Sequence, residues 1–162
     1  MIPQGLPMGA VAPMVLDEGS IADLACAVVG VNKSVLSQKG FSVDCCSDSF
    51  KEEQTDKVMA VISASFSVYF ELMPADRYGD LFDQVSSFAF HLAKDHIFTD
   101  GNKRTTVLVS LALIRVRGVF LDIEDSEKPE ENEVYKWIED LVTDSKSVEE
   151  LAGILRSRAR LE

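Results

Sequence analysis

The chain has 162 residues, 46% of them hydrophobic and 27% charged, with a formal net charge of −11 at pH 7. That length is one domain with room for a real core, and the composition is that of an ordinary globular protein. The acidic balance argues against broad electrostatic binding to nucleic acid or anionic membranes, and no apolar run approaches the roughly 20 residues that a membrane span needs. Three cysteines, two of them adjacent (Cys45 and Cys46), make no disulfide framework and fit a reducing cytoplasm.

Met1 to Pro13 holds three prolines, two glycines and no charged side chain, and reads as a flexible arm or a vector-derived remnant, with a single domain from Met14 to Glu162. The first Lys or Arg is Lys33, so no charged region precedes an apolar stretch as in a signal peptide. Asp17 to Gly30 is predicted as a helix. Ile21, Leu24, Ala25 and Val28 share a face, Ser20 or Asp17 caps the start, and Gly30 suits the C′ position. Asn32 to Asp48 has no clear period and reads as a long loop, either bordering a site or simply connecting. Lys51 to Met73 is the most regular helix, with Val58, Val61, Ile62, Ser65, Phe66, Tyr69, Phe70 and Met73 on one face as core. Pro74 ends it. Ala75 to Gly79 is a turn.

Leu81, Phe82, Val85, Phe88, Ala89, Leu92 and Ala93 recur at helical spacing, and Val107 to Val116 is apolar nearly all round, as in a buried helix. His91 lies about 140° round the helix from His96, so the two make no metal pair. Val119 to Ile123 suggests a short extended piece, and Asp125 to Asn132 an acidic loop. Glu133 to Thr143 is an amphipathic helix. Ser147 and Glu150 form a capping box for a last helix with Val148, Leu151, Ala152 and Leu155 inward. Arg156, Arg158 and Arg160 then place positive charge where its dipole favours it.

Between the two apolar helices lies His96-Ile97-Phe98-Thr99-Asp100-Gly101-Asn102-Lys103-Arg104-Thr105. A helix N-terminus there presents free N–H groups and the positive end of a dipole, so it favours anions. Gly101 allows a sharp turn and close approach of a phosphate. Asn102 is suited to cap the helix or to hold the loop closed. Lys103 and Arg104 add positive charge, Arg104 with bidentate geometry for phosphate oxygens. Asp100 offers a hard oxygen for Mg²⁺, which commonly enters with a nucleotide through few protein ligands. His96, at the end of the preceding helix, is placed to take a proton from an attacking hydroxyl. The set reads as phosphate cradle, metal ligand and base for a transfer reaction on a nucleotide polyphosphate.

These residues resemble the signature of the Fic/Doc family, His-x-Phe-x-Asp/Glu-Gly/Ala-Asn-Gly/Lys-Arg. His96, Phe98, Asp100, Gly101, Asn102, Lys103 and Arg104 all match. The similarity runs roughly from Leu81 to Val119, and the N-terminal third matches only in helical pattern. The resemblance implies an all-α fold, a compact helical bundle around a central buried helix, and allows a short β flap that guides a target segment, for which Arg77 and Tyr78 are candidates. Phe98 would support the loop.

The chain looks closest to the Doc (death-on-curing) branch. Lys103 stands where the AMP-transferring Fic members have a second glycine, and Val107 stands where they carry a further arginine. That branch implies a toxin-type protein kinase, with ATP as substrate and Mg²⁺. Its expected partners are a protein target such as a translation elongation factor, phosphorylated on a Ser or Thr hydroxyl, and a Phd-type antitoxin. The alternatives are AMP transfer to a protein hydroxyl and a non-catalytic binding module, which no substitution among the motif residues supports. Ser49 to Glu53 gives the Ser-x-x-x-Glu of an inhibitory helix, but Gln54 breaks the pattern, and it reads as chance.

Overall fold

The computed structural model describes residues 5–38, 48–124 and 126–162, and among these seven α-helices carry an all-α fold. They are α1 (Glu18–Gln38), α2 (Asp48–Phe66), α3 (Pro74–Arg77), α4 (Leu81–Lys94), α5 (Asn102–Val116), α6 (Glu133–Val142) and α7 (Val148–Arg158). Two three-residue strands, β1 (Val119–Leu121) and β2 (Ala159–Leu161), pair antiparallel with Phe120 opposite Arg160.

α4 is the axis of the bundle and packs against α2, α5, α6 and α7. Leu81, Phe82, Val85, Phe88 and Leu92 are spaced by one, three and four residues, and all are fully buried. Burying a side chain of this size contributes on the order of 1.5–3 kcal/mol. Phe88 meets the edge of Phe66 from α2 at 5.2 Å between ring centroids. α5 is less enclosed than its composition predicts. Arg104, Val107, Leu113 and Ile114 face inward, but Leu108, Ala112 and Val116, each four residues from the last, lie on the solvent side.

α1 runs past Gly30, where the sequence predicted its end. Ile21, Ala25, Val28, Asn32 and Val35 are all buried at three- and four-residue spacing, so the inward face reads straight through the glycine. Of the predicted loop, residues 39–47 lie outside the described residues. Over Glu18–Ser37 α1 is long and apolar enough, by length and composition, to cross a membrane, contrary to the expectation that no run approaches that length. Here it packs against α2 and α5.

α2 is shorter than predicted. It stops at Phe66, and Tyr69 and Leu72 exchange both backbone hydrogen bonds at 2.9 Å in a small hairpin. Phe70 and Glu71 at its tip have φ of 49° and 64°, the left-handed pair that such tight turns require. Tyr69, Phe70 and Met73 are therefore exposed rather than part of the core stripe, Phe70 by 84%. Arg77 stabilises this ending: its guanidinium donates to the carbonyl of Ala64, in the last turn of α2, and to that of Ser67 just beyond it. Pro74 opens α3 rather than closing α2.

The N-terminal segment, predicted to be a flexible arm, is fastened from Gly5 onward. Gly5 and Leu6 N–H groups donate to the carbonyls of Ala159 and Arg156, Leu81 N–H donates to Val11, and the Gln84 carboxamide pairs with both backbone groups of Met14. Met1 to Gln4 lie outside the described residues. The capping box of α7 forms as expected between Ser147 and Glu150. The three arginines that follow take separate roles. Arg158 donates to the Asp122 carbonyl and pairs with Glu133, and Arg160 lies over the Phe120 ring.

Arg156 joins α7 to the start of α4. Its Nε lies 2.7 Å from Asp80 Oδ2, and one terminal nitrogen reaches Asp80 Oδ1 at 3.0 Å and Asp83 Oδ1 at 3.1 Å. The Asp80 side chain is 0% exposed and also accepts from the N–H groups of Asp83 and Gly9. Burial alone would push the Asp80 carboxyl up, but Arg156 and the two N–H donors outweigh it and hold the group below its ordinary value. Asp80→Ala should cost about 3–5 kcal/mol, because it leaves Arg156 half-buried with its main partner gone. A carboxylate with a depressed folded-state value stabilises fully above its unfolded value, about pH 3.9, and loses that contribution as pH falls through the folded value. Urea titrations at pH 7 and near pH 2 test this. The gap between Asp80→Asn and the unsubstituted chain should shrink in acid, and an equal gap at both would remove the charge from the account.

Candidate active site

The loop between α4 and α5 is closed by one side chain. Asn102 Oδ1 accepts from Phe98 N–H at 3.0 Å, and Asn102 Nδ2 donates to Phe98 carbonyl at 2.9 Å. Of the two roles open to Asn102 in the sequence, the structure shows loop closure; the N-cap position of α5 is Gly101, which contributes no side chain. Phe98 itself is buried in the main core and anchors the loop from below.

Gly101 has φ of 77°. A Cβ there would lie 3.2 Å from both Asn32 Nδ2 and Val35 Cγ1, and 3.6 Å from an Arg104 terminal nitrogen. The turn is therefore both left-handed and crowded, which suits glycine. Asn32 reaches it from α1, donating to the Asp100 carbonyl at 2.9 Å and to Thr105 Oγ1 at 3.2 Å. Two carboxamides thus fix the loop from opposite sides, and the first N–H groups of α5 are left pointing out of the helix end.

A cleft of about 380 Å³ opens over that end. His96, Thr99, Asp100, Gly101, Asn102, Lys103 and Arg104 line it from the motif, Ala93 from α4, and Tyr135 and Val142 from α6. His96 lies two residues beyond the last residue of α4, exposed, with φ of 49°. A non-glycine residue in that region costs on the order of 1–3 kcal/mol, and such strain gathers at functional sites. Arg104 is only 7% exposed, with its guanidinium 3.4 Å from Asp100 Oδ2. Asp100 Oδ1 accepts from the Gly101 N–H at 2.7 Å, while the carboxylate as a whole stays more than half exposed. Lys103 reaches across the cleft to α6, 3.2 Å from Glu139 Oε2 and over the Tyr135 ring at 5.5 Å. Burial weakens the charge on Lys103, but Glu139 and Tyr135 outweigh it, so its ammonium holds its proton more tightly than usual.

The predicted site residues His96, Asp100, Gly101, Asn102, Lys103 and Arg104 therefore meet in one cleft, with Phe98 beneath. Arg77 and Tyr78 do not line it. Arg77 caps α2 and lies 5.3 Å from the Tyr78 ring. His91 is on the surface, edge-on to Phe90. Asn32, Tyr135 and Glu139 escaped the sequence reading. Asn32 is signalled by its place on the buried face of α1. Tyr135 and Glu139, four apart on α6, carry no local signal, since their partner is more than thirty residues away.

The residues fit an anion with Mg²⁺. No cluster of three or more His, Cys, Asp or Glu could hold a metal among the described residues. One exposed carboxylate beside a cationic, N–H-rich cradle is the arrangement in which Mg²⁺ is held jointly by a protein oxygen and phosphates. Replacing Asn32 with Ala should cost about 1–3 kcal/mol, because the buried Thr105 hydroxyl and Asp100 carbonyl lose their donor. It should also weaken phosphate binding by loosening the turn. Thermal unfolding and calorimetric titration with pyrophosphate check both; full affinity with lowered stability would confine Asn32 to folding.

No curated protein matches the chain. The family model described as Fic/DOC family matches residues 30–114. The match begins well before the segment from Leu81 that carried the resemblance, and it takes in Asn32, all of α2 and α4, and the complete motif. Members are typically transferases acting on protein hydroxyls, generally with ATP and Mg²⁺. With the motif residues gathered at one helix N-terminus and the match spanning more than half of the sequence, the chain belongs to the Fic/DOC family.

Proposed function

We propose that this chain is a protein kinase of the Doc type, transferring the γ-phosphoryl group of ATP to a Ser or Thr hydroxyl of a protein target. The observation that carries the reading is Lys103. A glycine at that place would leave the cradle open for phosphates to run deep along the α5 N-terminus. A lysine there narrows the cleft with a side chain that crosses to α6 and adds a charge, which favours a nucleotide lying with its γ-phosphate towards His96. Val107, fully buried, supplies no further cation.

In this mechanism the triphosphate lies across the N–H groups of Asn102 to Arg104, with Arg104 on its oxygens. Asp100 would share Mg²⁺ with the phosphates, and the ion would neutralise part of their charge. His96 accepts the proton of the target hydroxyl as that oxygen bonds to the γ-phosphorus. The bond from the γ-phosphorus to the bridging oxygen breaks, and ADP leaves. The second reading, AMP transfer, puts the same hydroxyl on the α-phosphorus and releases pyrophosphate.

In this proposal the hairpin at Tyr69–Leu72 serves as the flap together with the nearby Arg77 and Tyr78. It offers backbone edge and exposed apolar side chains to an extended segment, the pattern of strand addition. The same reading makes this a cytoplasmic toxin restrained by a Phd-type antitoxin, with a translation elongation factor as a candidate target.

Incubating the chain with a cell lysate and ATP labelled on either the α- or the γ-phosphate tests the reaction. Label from γ alone is expected, label from α means AMP transfer, and label from neither rules out both. His96→Gly should lower the rate by about 10²- to 10⁴-fold while leaving stability nearly unchanged, since the relief of the left-handed backbone and the entropy cost of glycine, each about 1 kcal/mol, offset each other. Full activity in that variant would remove His96 from the mechanism. Lys103→Gly should lose phosphoryl transfer. Intact-mass measurement of the target distinguishes added phosphate from added AMP, and AMP added by the unsubstituted chain would end the argument from Lys103.

A further inference from the structure

Lys103 is already engaged on the α6 side of the cleft. Its Nζ is 3.2 Å from Glu139 Oε2, both side chains are 38% exposed, and the ammonium lies over the Tyr135 ring. Glu139 is itself held, since Lys136 approaches its other oxygen at 3.7 Å and ties the neighbouring Asp140 at 3.4 Å. Tyr135 and Glu139 are four apart, so they occupy one face of α6, and Tyr135 forms the cleft wall opposite the motif. α6 is fixed independently of the cleft: Val134, Ile138 and Leu141 are buried on its other face, and Asn132 caps it through the Val134 N–H.

We propose that Glu139 is a positioning residue for the nucleotide site, holding Lys103 against Tyr135 on the α6 side of the cleft and setting how strongly the cleft grips a polyphosphate. This deepens the proposed function and rests on it. Two consequences of the geometry combine. The carboxylate offsets much of the Lys103 charge as felt by an incoming phosphate, and it fixes where the remainder sits. An ion pair of this exposure is modest and salt-sensitive, which suits a tuning role better than a structural one. A polyphosphate arriving at the α5 N-terminus then competes with Glu139 for Lys103, and the outcome depends on whether its terminal phosphate reaches the α6 side. The carboxylate therefore disfavours short anions that stop at the helix end more than long ones that span the cleft.

A double-mutant cycle tests this with the full chain and three probes: MgATP, MgADP and inorganic phosphate, each titrated by calorimetry. Glu139→Gln keeps the shape and removes the charge. It should tighten all three by about 1.5-fold to fivefold, the range for a partly exposed charge pair, and narrow the preference for MgATP over inorganic phosphate. In a Lys103→Met background the same substitution should have less than half that effect on a logarithmic scale. Glu139→Asp, which keeps the charge on a shorter stem, should fall between. Nitrogen-detected titration of the Lys103 ammonium gives a readout independent of nucleotide, and its midpoint should drop in Glu139→Gln. Equal tightening in both backgrounds, or an unmoved lysine midpoint, would overturn the proposal. Nucleotide binding indifferent to Glu139→Gln would overturn it while leaving the proposed function standing. Failure of the unsubstituted chain to bind any of the probes would remove both.

Discussion

The closure of the motif loop by Asn102 is the constraint on which the site depends. One carboxamide gives and takes with the backbone of Phe98, so the chain leaves α4 and enters α5 within a few residues, and every charged group of the motif lands on one side. The closure works because what lies around it is already rigid. Phe98 is locked in the core below, and Asn32 holds the turn from α1. An isolated loop of this length would have to lose its conformational freedom on binding a ligand. Here that entropy is lost on folding, and the anion meets donors already in place.

The same logic explains how an acidic chain builds an anion site. A net charge of −11 works against any polyphosphate at long range, but its effect is screened beyond about 10 Å in ordinary salt. Inside the cleft the nearest groups decide: the helix end, the nearly buried Arg104 and the tethered Lys103. Low exposure sharpens the interaction of Arg104 in particular, so a few local donors and cations outweigh many distant carboxylates.

Much of this was legible in the sequence where the information is local. The motif, the capping box of α7 and the inward face of α4 each lie within a dozen consecutive residues, and each formed as its residue types require. The misreadings share a cause. Gly30 looked like a terminator because glycine often is one, whereas the apolar face on either side of it kept α1 going. Tyr69, Phe70 and Met73 kept helical spacing with the core residues of α2, yet Arg77 and the Leu16 N–H take carbonyls at and just past the end of that helix, and the following chain turns back on itself. The fastening of the N-terminal segment to Gln84, Arg156 and Ala159, and the hold of Glu139 on Lys103, rest on contacts between residues far apart in the sequence, which no local pattern encodes.

The hairpin beyond α2 has a consequence for how the molecule behaves among its own kind. Val68, Tyr69, Phe70, Leu72 and Met73 leave a group of large apolar side chains in water around a two-residue bridge. Such a tip invites a second chain to lie against it. The surplus of carboxylates sets a repulsive barrier around each molecule, and dissolved ions thin that barrier. The protein is therefore a colloid balanced between a sticky tip and a charged coat. Whatever comes to cover that tip must first pass the charged coat, and dissolved ions ease the passage.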